Sequence, residues 1–183
     1  MKKQPEITEK TRQSFIDIFC ELYTKKPIEK ISVQEISNKS GYNRSTFYQY
    51  FNDIYALLAY IENDVLDYIQ KMSFDKNCME QSSDFQILIH LFEEKGKYLE
   101  ALLGDYGNNR FLERLKSEIF SGEMNSSFPK DDPLLPYLIE FHISTPISLF
   151  RLWQRRQKEL SLEELSALIQ NLCTTGIVSY GRT

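Results

Sequence analysis

The chain has 183 residues, of which 42% are hydrophobic and 26% charged, and its formal net charge is −4. These values are ordinary for a soluble globular protein of one or two domains. Its apolar runs are far shorter than the ~20 residues that span a bilayer, and no apolar core follows the lysines at the start, so neither a membrane protein nor a secretory signal is predicted.

The first predicted element is an amphipathic helix from Thr8 to about Tyr23. Lys25-Lys26-Pro27 is expected to end it, because cations suit the negative end of a helix and proline stops it. Its apolar residues recur at helical spacing, at Phe15, Ile18, Phe19 and Leu22.

The next segment, Ser32–Phe51, predicts two helices joined by a tight turn. Ser32 and Glu35 have the S-x-x-E spacing of a capping box, in which each side chain satisfies a backbone N–H at the helix start. Gly41 is expected to end this first helix, since glycine adopts a backbone conformation that other residues resist. Two helices in this arrangement are typical of a helix-turn-helix motif that reads DNA.

The second helix of the pair is expected to begin at Arg44, after a cap at Asn43. Its predicted inner face consists of Phe47, Tyr48 and Phe51. The residues left facing outward are all hydrogen-bonding: Arg44, Ser45, Thr46, Gln49 and Tyr50. An ordinary solvated face is the alternative, but such faces usually contain acids, and no acid stands between Asn43 and Tyr50.

The charge is distributed unevenly along the chain. Up to Tyr55, nine Lys/Arg stand against seven Asp/Glu, whereas thirteen stand against nineteen in the remainder. The N-terminal part is therefore mildly basic and the rest acidic. Such a small excess predicts DNA affinity from aimed contacts and dimeric presentation rather than from a large cationic field.

Five further helices are expected. Asn52-Asp53 caps one that ends near Ser73, the next runs from Asp84 to Leu103, and a third covers Arg110 to Phe120. The fourth spans Leu134 to about Arg156, with Pro136 in its first turn and Pro146 in its interior, and a capping box of Ser161 and Glu164 opens the last. Polar loops are predicted at residues 75–83 and 121–133. No convincing strand pattern is present, so the predicted fold is all-α.

A longer pattern surrounds the helix-turn-helix and consists of Ile31, Ser32-Val33, Ile36, Gly41, Thr46-Phe47-Tyr48, Tyr50-Phe51 and Leu57-Leu58. With this pattern, the N-terminal third resembles the TetR family of transcriptional regulators. Two positions depart from the family: Ile54 stands where many members carry a lysine that contacts DNA phosphate, and Gln49 stands where an aromatic residue is common. The resemblance implies a TetR-type DNA-binding domain at residues 8–68 and a helical effector-binding and dimerisation domain at residues 69–183.

Within the motif, Arg44 is the best candidate for a bidentate contact with guanine, and Ser45 or Gln49 could reach neighbouring bases. The other members are expected to contact phosphates or to pack. The full set of predicted DNA-binding residues is Ser32, Val33, Gln34, Tyr42, Asn43, Arg44, Ser45, Thr46, Tyr48, Gln49 and Tyr50.

The C-terminal region is rich in aromatic residues, which core packing alone could explain. The resemblance implies an effector pocket there, with the candidates Phe92, Phe111, Tyr137, Phe141, His142 and Thr145. It also implies a four-helix interface between two subunits, and an intramolecular core is the alternative. The interface candidates are Leu149, Trp153, Leu165, Leu168, Leu172 and Gly176.

Neither metal nor catalytic chemistry is predicted. The histidines His90 and His142 are far apart, and the odd number of cysteines (Cys20, Cys78 and Cys173) fits a reducing cytoplasm better than a disulfide framework. No cofactor is expected, and no nucleophile–base set is evident. The sequence thus favours a cytoplasmic homodimeric repressor that binds a palindromic DNA operator and is released by a small-molecule effector. A TetR-like activator or co-activator working through a partner protein is the alternative, and a small helical enzyme is a third.

Overall fold

The computed structural model describes residues 5–74, 84–120 and 132–176, and in these ranges every regular element is a helix. The predicted all-α fold is confirmed. The predicted loop at 75–83 and most of that at 121–133 lie outside the described residues. Apart from a 3₁₀ turn at Ile28–Lys30, the elements are α1 Pro5–Tyr23, α2 Val33–Ser40, α3 Arg44–Phe47, α4 Ile54–Phe74, α5 Asp84–Leu103, α6 Asn109–Phe120, α7 Leu135–Arg155 and α8 Leu162–Thr175.

The chain divides into two compact units. The first comprises residues 1–67 and 97–111, and the second comprises residues 68–96 and 112–183. The end of α5 and the start of α6 therefore belong to the first unit, although they lie far from its other helices in sequence. Helices α4, α5 and α6 each have residues in both units.

The first unit is built around the apolar face of α1. Phe15 and Phe19 are completely buried, as the predicted spacing requires, but Ile16 is buried where Ile18 was expected and Ile18 is only half-buried. Two polar contacts also join α1 to the end of α5. Lys97 Nζ lies 2.7 Å from Asp17 Oδ1, and Gln13 Nε2 donates to the Tyr98 hydroxyl at 3.0 Å.

Helix ends follow most of the capping signals in the sequence. Gly41 ends α2 with φ of +74°, the left-handed conformation that glycine adopts without strain. At the start of α2 only half of the predicted capping box forms. The Glu35 N–H donates to Ser32 Oγ at 3.1 Å, but the Glu35 carboxylate accepts instead from Lys26 Nζ at 2.6 and 2.8 Å, because that lysine lies beside it.

The capping box at Ser161 is complete. The Glu164 N–H donates to Ser161 Oγ at 3.2 Å, and the Ser161 N–H donates to the Glu164 carboxylate at 2.7 Å. At the start of α4, Asp53 Oδ1 accepts from the Ala56 N–H at 2.7 Å, as the sequence predicted for a cap in Asn52-Asp53.

In the second unit the core joins α5, α7 and α8. The Phe92 ring stacks on that of Phe150 with 4.0 Å between centroids and 2° between planes. Leu165 and Ile169 of α8 are buried, as are α7 residues on either side of Pro146, and Pro146 lies inside α7 as predicted. Lys116 of α6 donates to both Glu140 oxygens of α7 at 2.9 Å.

The cysteines that the structure describes are separate free thiols. Cys20 is buried, and its burial raises the pKa of the thiol to about 12. Cys173 is half-buried, and burial raises its pKa as well. Cys78 lies outside the described residues. In the described ranges, no helix combines the length and apolarity that crossing a bilayer would require.

Two glycines provide a matched test of the backbone argument. An added Cβ would meet nothing within 4 Å at either Gly41 or Gly96, so packing does not distinguish them. Gly41→Ala should lower the free energy of unfolding by about 1 kcal/mol, because alanine resists a positive φ. Gly96→Ala, inside α5, should raise it by about 0.5–1 kcal/mol. Urea denaturation followed by circular dichroism measures both effects. Equal effects of the two changes would refute the argument that the positive φ at Gly41 requires glycine.

Candidate nucleic-acid interface

The Ser32–Phe51 segment forms the predicted helix-turn-helix, but its second helix is shorter than expected. Helix α3 covers only Arg44–Phe47. Beyond it the backbone tightens: the Gln49 N–H bonds to the Thr46 carbonyl at 3.2 Å and the Tyr50 N–H to the Phe47 carbonyl at 2.9 Å. These bonds span three residues rather than four, and they close the segment as a series of turns that ends at the buried Phe51.

The inner face of this segment differs from the prediction at one position. Phe47 and Phe51 are buried as expected, but Tyr48 is 48% exposed. Phe47 takes the core position, and the Tyr48 ring lies across its edge with 5.7 Å between centroids. The Tyr48 hydroxyl therefore reaches the surface, where it accepts a hydrogen bond of 3.4 Å from Arg44 Nη2.

One α1 side chain supports the whole segment from behind. The ring of Phe15 contacts that of Tyr42 before α3, that of Phe47 within it and that of Tyr50 after it, at centroid distances of 5.5, 5.3 and 6.1 Å. Such tilted and edge-on aromatic pairs add to the stabilisation from burial. Because Phe15 lies far from the motif in sequence, its role could not be read from the motif itself.

The predicted DNA-binding residues share one surface only in part. Val33 is buried, and Tyr42, Thr46 and Tyr50 are half-buried. The remaining members are exposed, namely Ser32, Gln34, Asn43, Arg44, Ser45, Tyr48 and Gln49. Asn43 occupies the cap position of α3 but forms no capping hydrogen bond with its side chain. Its amide is therefore not committed to the start of the helix.

The charges of this surface suit a polyanion. No acid occurs from Asn43 to Tyr50, while Glu35 of α2 is neutralised by its contact with Lys26. Ile54, where many TetR-family members carry a lysine, is buried at the start of α4. That position therefore cannot supply a phosphate contact here, and the cations of the surface lie elsewhere, among them Arg44.

The predicted pocket residues lie in different surroundings, described here within the unit to which each belongs. Phe92 stacks on Phe150 in the core, whereas Phe111 is fully buried in the first unit. His142 is half-buried, with its ring edge-on to Phe141 at 5.9 Å. The others line an open groove along α7 formed by Tyr137, Glu140, Phe141, Ser144, Thr145, Ser148 and Leu149.

The predicted interface residues lie on α7, on α8 and just after α8. Leu165 is buried within the unit, whereas Leu149, Trp153, Leu168, Leu172 and Gly176 are half-buried. The indole N–H of Trp153 donates to the Leu160 carbonyl at 2.8 Å, which orients that ring. Among the described residues, no three His, Cys, Asp or Glu side chains are grouped as a metal site would require.

Comparison with known protein families finds a match in the helix-turn-helix region. Residues 19–61 match the family model described as bacterial regulatory proteins, tetR family. A comparison of the sequence with curated proteins finds no match. The resemblance read from Ile31 to Leu58 is confirmed.

Several solved structures share the fold over nearly the whole chain. The TetR transcriptional regulator from Streptococcus agalactiae 2603V is 22% identical with a TM-score of 0.61, covering 92% of this chain and 96% of that one. FadR from Bacillus subtilis, in complex with stearoyl-CoA, is 18% identical with a TM-score of 0.59 over 90% and 98%. The dihydroxyacetone kinase operon activator DhaS is 21% identical with a TM-score of 0.54 over 92% and 97%. At these identities the likeness establishes the fold.

The support that α1 gives the motif can be measured directly. Phe15→Ala should lower the free energy of unfolding by about 3–5 kcal/mol, because it opens a cavity beneath three aromatic rings. Tyr55→Ala, at a side chain 58% exposed on α4, is the matched control and should change it by less than about 0.5 kcal/mol. Both are read from urea unfolding, and a small loss for Phe15→Ala would contradict the central position of that ring.

Proposed function

We propose that this chain, whose N-terminal domain belongs to the TetR family of DNA-binding transcriptional regulators, is a cytoplasmic homodimeric repressor. In this proposal it binds a pseudo-palindromic DNA operator through Ser32–Phe51, and an effector bound in the C-terminal domain releases it. The observation that carries the proposal is the acid-free exposed surface of α3 and the following turn, packed on α1 through Phe15.

The chemistry of that surface supports reading of base edges. Arg44 has the planar, bidentate guanidinium that matches the O6 and N7 acceptors of guanine in the major groove. Its hydrogen bond with Tyr48 limits the directions in which the guanidinium can point. Ser45 and Gln49 flank it with neutral donors and acceptors, which suit neighbouring bases.

The small size of this surface supports the proposal of a dimer. A four-residue helix reaches only a few base pairs, and two copies related by a two-fold axis read half-sites about 34 Å apart. The apolar face of α7 supports association, since Tyr137 is 76% exposed and Phe141 48% exposed. Leu149 lies on the same groove, and Trp153, one helical turn further on, extends the face toward α8.

Release by an effector requires a ligand that binds the two states of the protein with different affinities. Helix α4 supports such coupling, because it begins directly after the motif and has residues in both units. In this proposal the effector shifts α4, which alters the spacing of the two α3 helices in the dimer and weakens operator binding.

A second candidate function is supported by the shape of the α7 groove. The groove is open and its lining comes from one helix, a form that suits a protein partner at least as well as a small molecule. An activator or co-activator that works through such a partner would use this surface. The similar structures include both an operon activator and a regulator in complex with stearoyl-CoA.

The proposal is tested first by selecting bound DNA from a random duplex pool with the purified protein, at two salt concentrations. Enrichment of an inverted repeat is the expected result and provides the operator for all later measurements. Weak, salt-sensitive binding without enrichment would overturn unaided operator recognition and favour the partner-dependent candidate.

Arg44→Ala should weaken binding to the selected operator by about 1–3 kcal/mol, because it removes a contact with a base. Binding to unrelated duplex should change little. Lys39→Ala removes an equal charge from an exposed position on α2, and any effect it has should be the same on operator and unrelated DNA. Fluorescence anisotropy measures these affinities, and an Arg44→Ala protein that keeps full sequence preference would disprove the assignment.

Phe141→Glu should dissociate the dimer, because it places a charge in the apolar face of α7 proposed to be buried between copies. Sedimentation velocity at micromolar concentration should show a monomer, with weaker operator binding as a consequence. Tyr106→Glu, at an exposed ring in the first unit, is the matched control and should leave the dimer intact. Unchanged dimerisation of both variants would rule out this face.

A further inference from the structure

We propose that Arg12 is a positioning residue for DNA reading, which fixes the turn after α3 because its one guanidinium group contacts the rings of both Tyr50 and Tyr60. This inference rests on the proposed DNA-binding function and deepens it. No motif position predicts it, because Arg12 lies on α1 and outside the helix-turn-helix.

The geometry around Arg12 is that of a shared cation–π contact. Its Cζ atom lies 5.9 Å from the centre of the Tyr50 ring and 5.6 Å from the centre of the Tyr60 ring. Both distances fall within the range of roughly 6 Å over which such attraction operates. Arg12 Nη1 also lies 2.7 Å from Glu9 Oε2, so the preceding turn of α1 restrains the same side chain.

The two tyrosines connect Arg12 to separate elements. Tyr50 directly follows Gln49 in the turn after α3, whereas Tyr60 belongs to α4 and contacts the ring of Phe51 at 5.7 Å. The side chains of Arg12, Tyr50 and Tyr60 thus connect α1, the turn after α3 and α4. It stands one turn before Phe15 on α1, so the two residues support the segment from the same face.

This support matters because α3 cannot hold itself. An isolated helix of four residues is far below the length that is stable in water, so tertiary contacts must set its orientation. Phe15 contacts Tyr42 before α3 and Phe47 at the last residue of α3, while the longest of its contacts with the segment, 6.1 Å, is with Tyr50. Arg12 adds the restraint in the turn after α3, next to Gln49.

The placement of the charge separates this role from a phosphate contact. The guanidinium is paired with the Glu9 carboxylate and lies close to the rings of two tyrosines. These contacts engage its positive charge within the protein. A residue that neutralised a phosphate would instead contribute to counterion release and thus to the salt dependence of DNA binding. The salt dependence therefore distinguishes the two roles.

The test compares Arg12→Met, Tyr60→Leu and the double variant in the full-length protein, with the selected operator as the probe. Each single change should weaken operator binding by about three- to thirty-fold, the scale of a cation–π contact. The double variant should be no weaker than Arg12→Met, because that single change already removes the contacts of Arg12 with both rings. The slope of log affinity against log salt concentration should stay at its wild-type value.

Two results would overturn the proposal. A slope reduced by about 0.9 in Arg12→Met, with full affinity in Tyr60→Leu, would make Arg12 a phosphate contact. Lower unfolding midpoints with unchanged operator affinity of the folded protein would make the cluster merely structural.

Amide hydrogen exchange in the absence of DNA separates this proposal from the proposed function. Arg12→Met should increase exchange at Tyr50 and Phe51, whose N–H groups bond to the Phe47 carbonyl, and leave α2 unchanged. If exchange at Tyr50 and Phe51 is faster in Arg12→Met but the wild-type protein selects no DNA sequence, operator reading is refuted and the positioning role of Arg12 is retained. Unchanged exchange at these two residues would refute the positioning role itself.

Discussion

The contact between Phe15 and the segment around α3 is the constraint on which the proposed DNA-reading surface depends. A helix of four residues has no stability of its own, so its direction is set by what packs behind it. Phe15 touches rings before, within and after that helix, and all of these contacts come from one side chain of α1. Exposed residues such as Arg44, Ser45 and Gln49 can therefore be polar, because other residues hold the segment in place.

That separation of tasks explains how a chain of net negative charge can present a DNA-binding surface. Acids are absent from the stretch Asn43–Tyr50, and Glu35 of the neighbouring helix is paired with Lys26. The surface thus avoids repulsion rather than creating strong attraction. Weak general attraction makes the contribution of each aimed contact larger relative to the total, and it makes presentation by two symmetry-related copies more important.

Local signals in the sequence predicted the helices and their ends well, while contacts between distant residues could not be predicted. Gly41 and the Ser161–Glu164 box act within a few residues, and both are confirmed. The predictions were wrong where a distant or competing contact sets the position of a side chain. The Glu35 carboxylate bonds to Lys26 instead of capping α2, and Phe47 occupies the core position while Tyr48 lies exposed at its edge. For the same reason the sequence revealed neither the contacts of Phe15 with the motif nor the assignment of residues 97–111 to the first unit.

The α7 groove connects the two proposed roles of the second unit. Tyr137, Phe141 and Thr145, predicted for an effector pocket, line the same groove as Leu149, predicted for the subunit interface. Because one helix face cannot be covered by a second copy and by a ligand at the same atoms, occupancy of one site would affect the other. Under the proposed function, a ligand seated here would act by opposing association, and its effect on operator binding would then depend on protein concentration, as linkage requires.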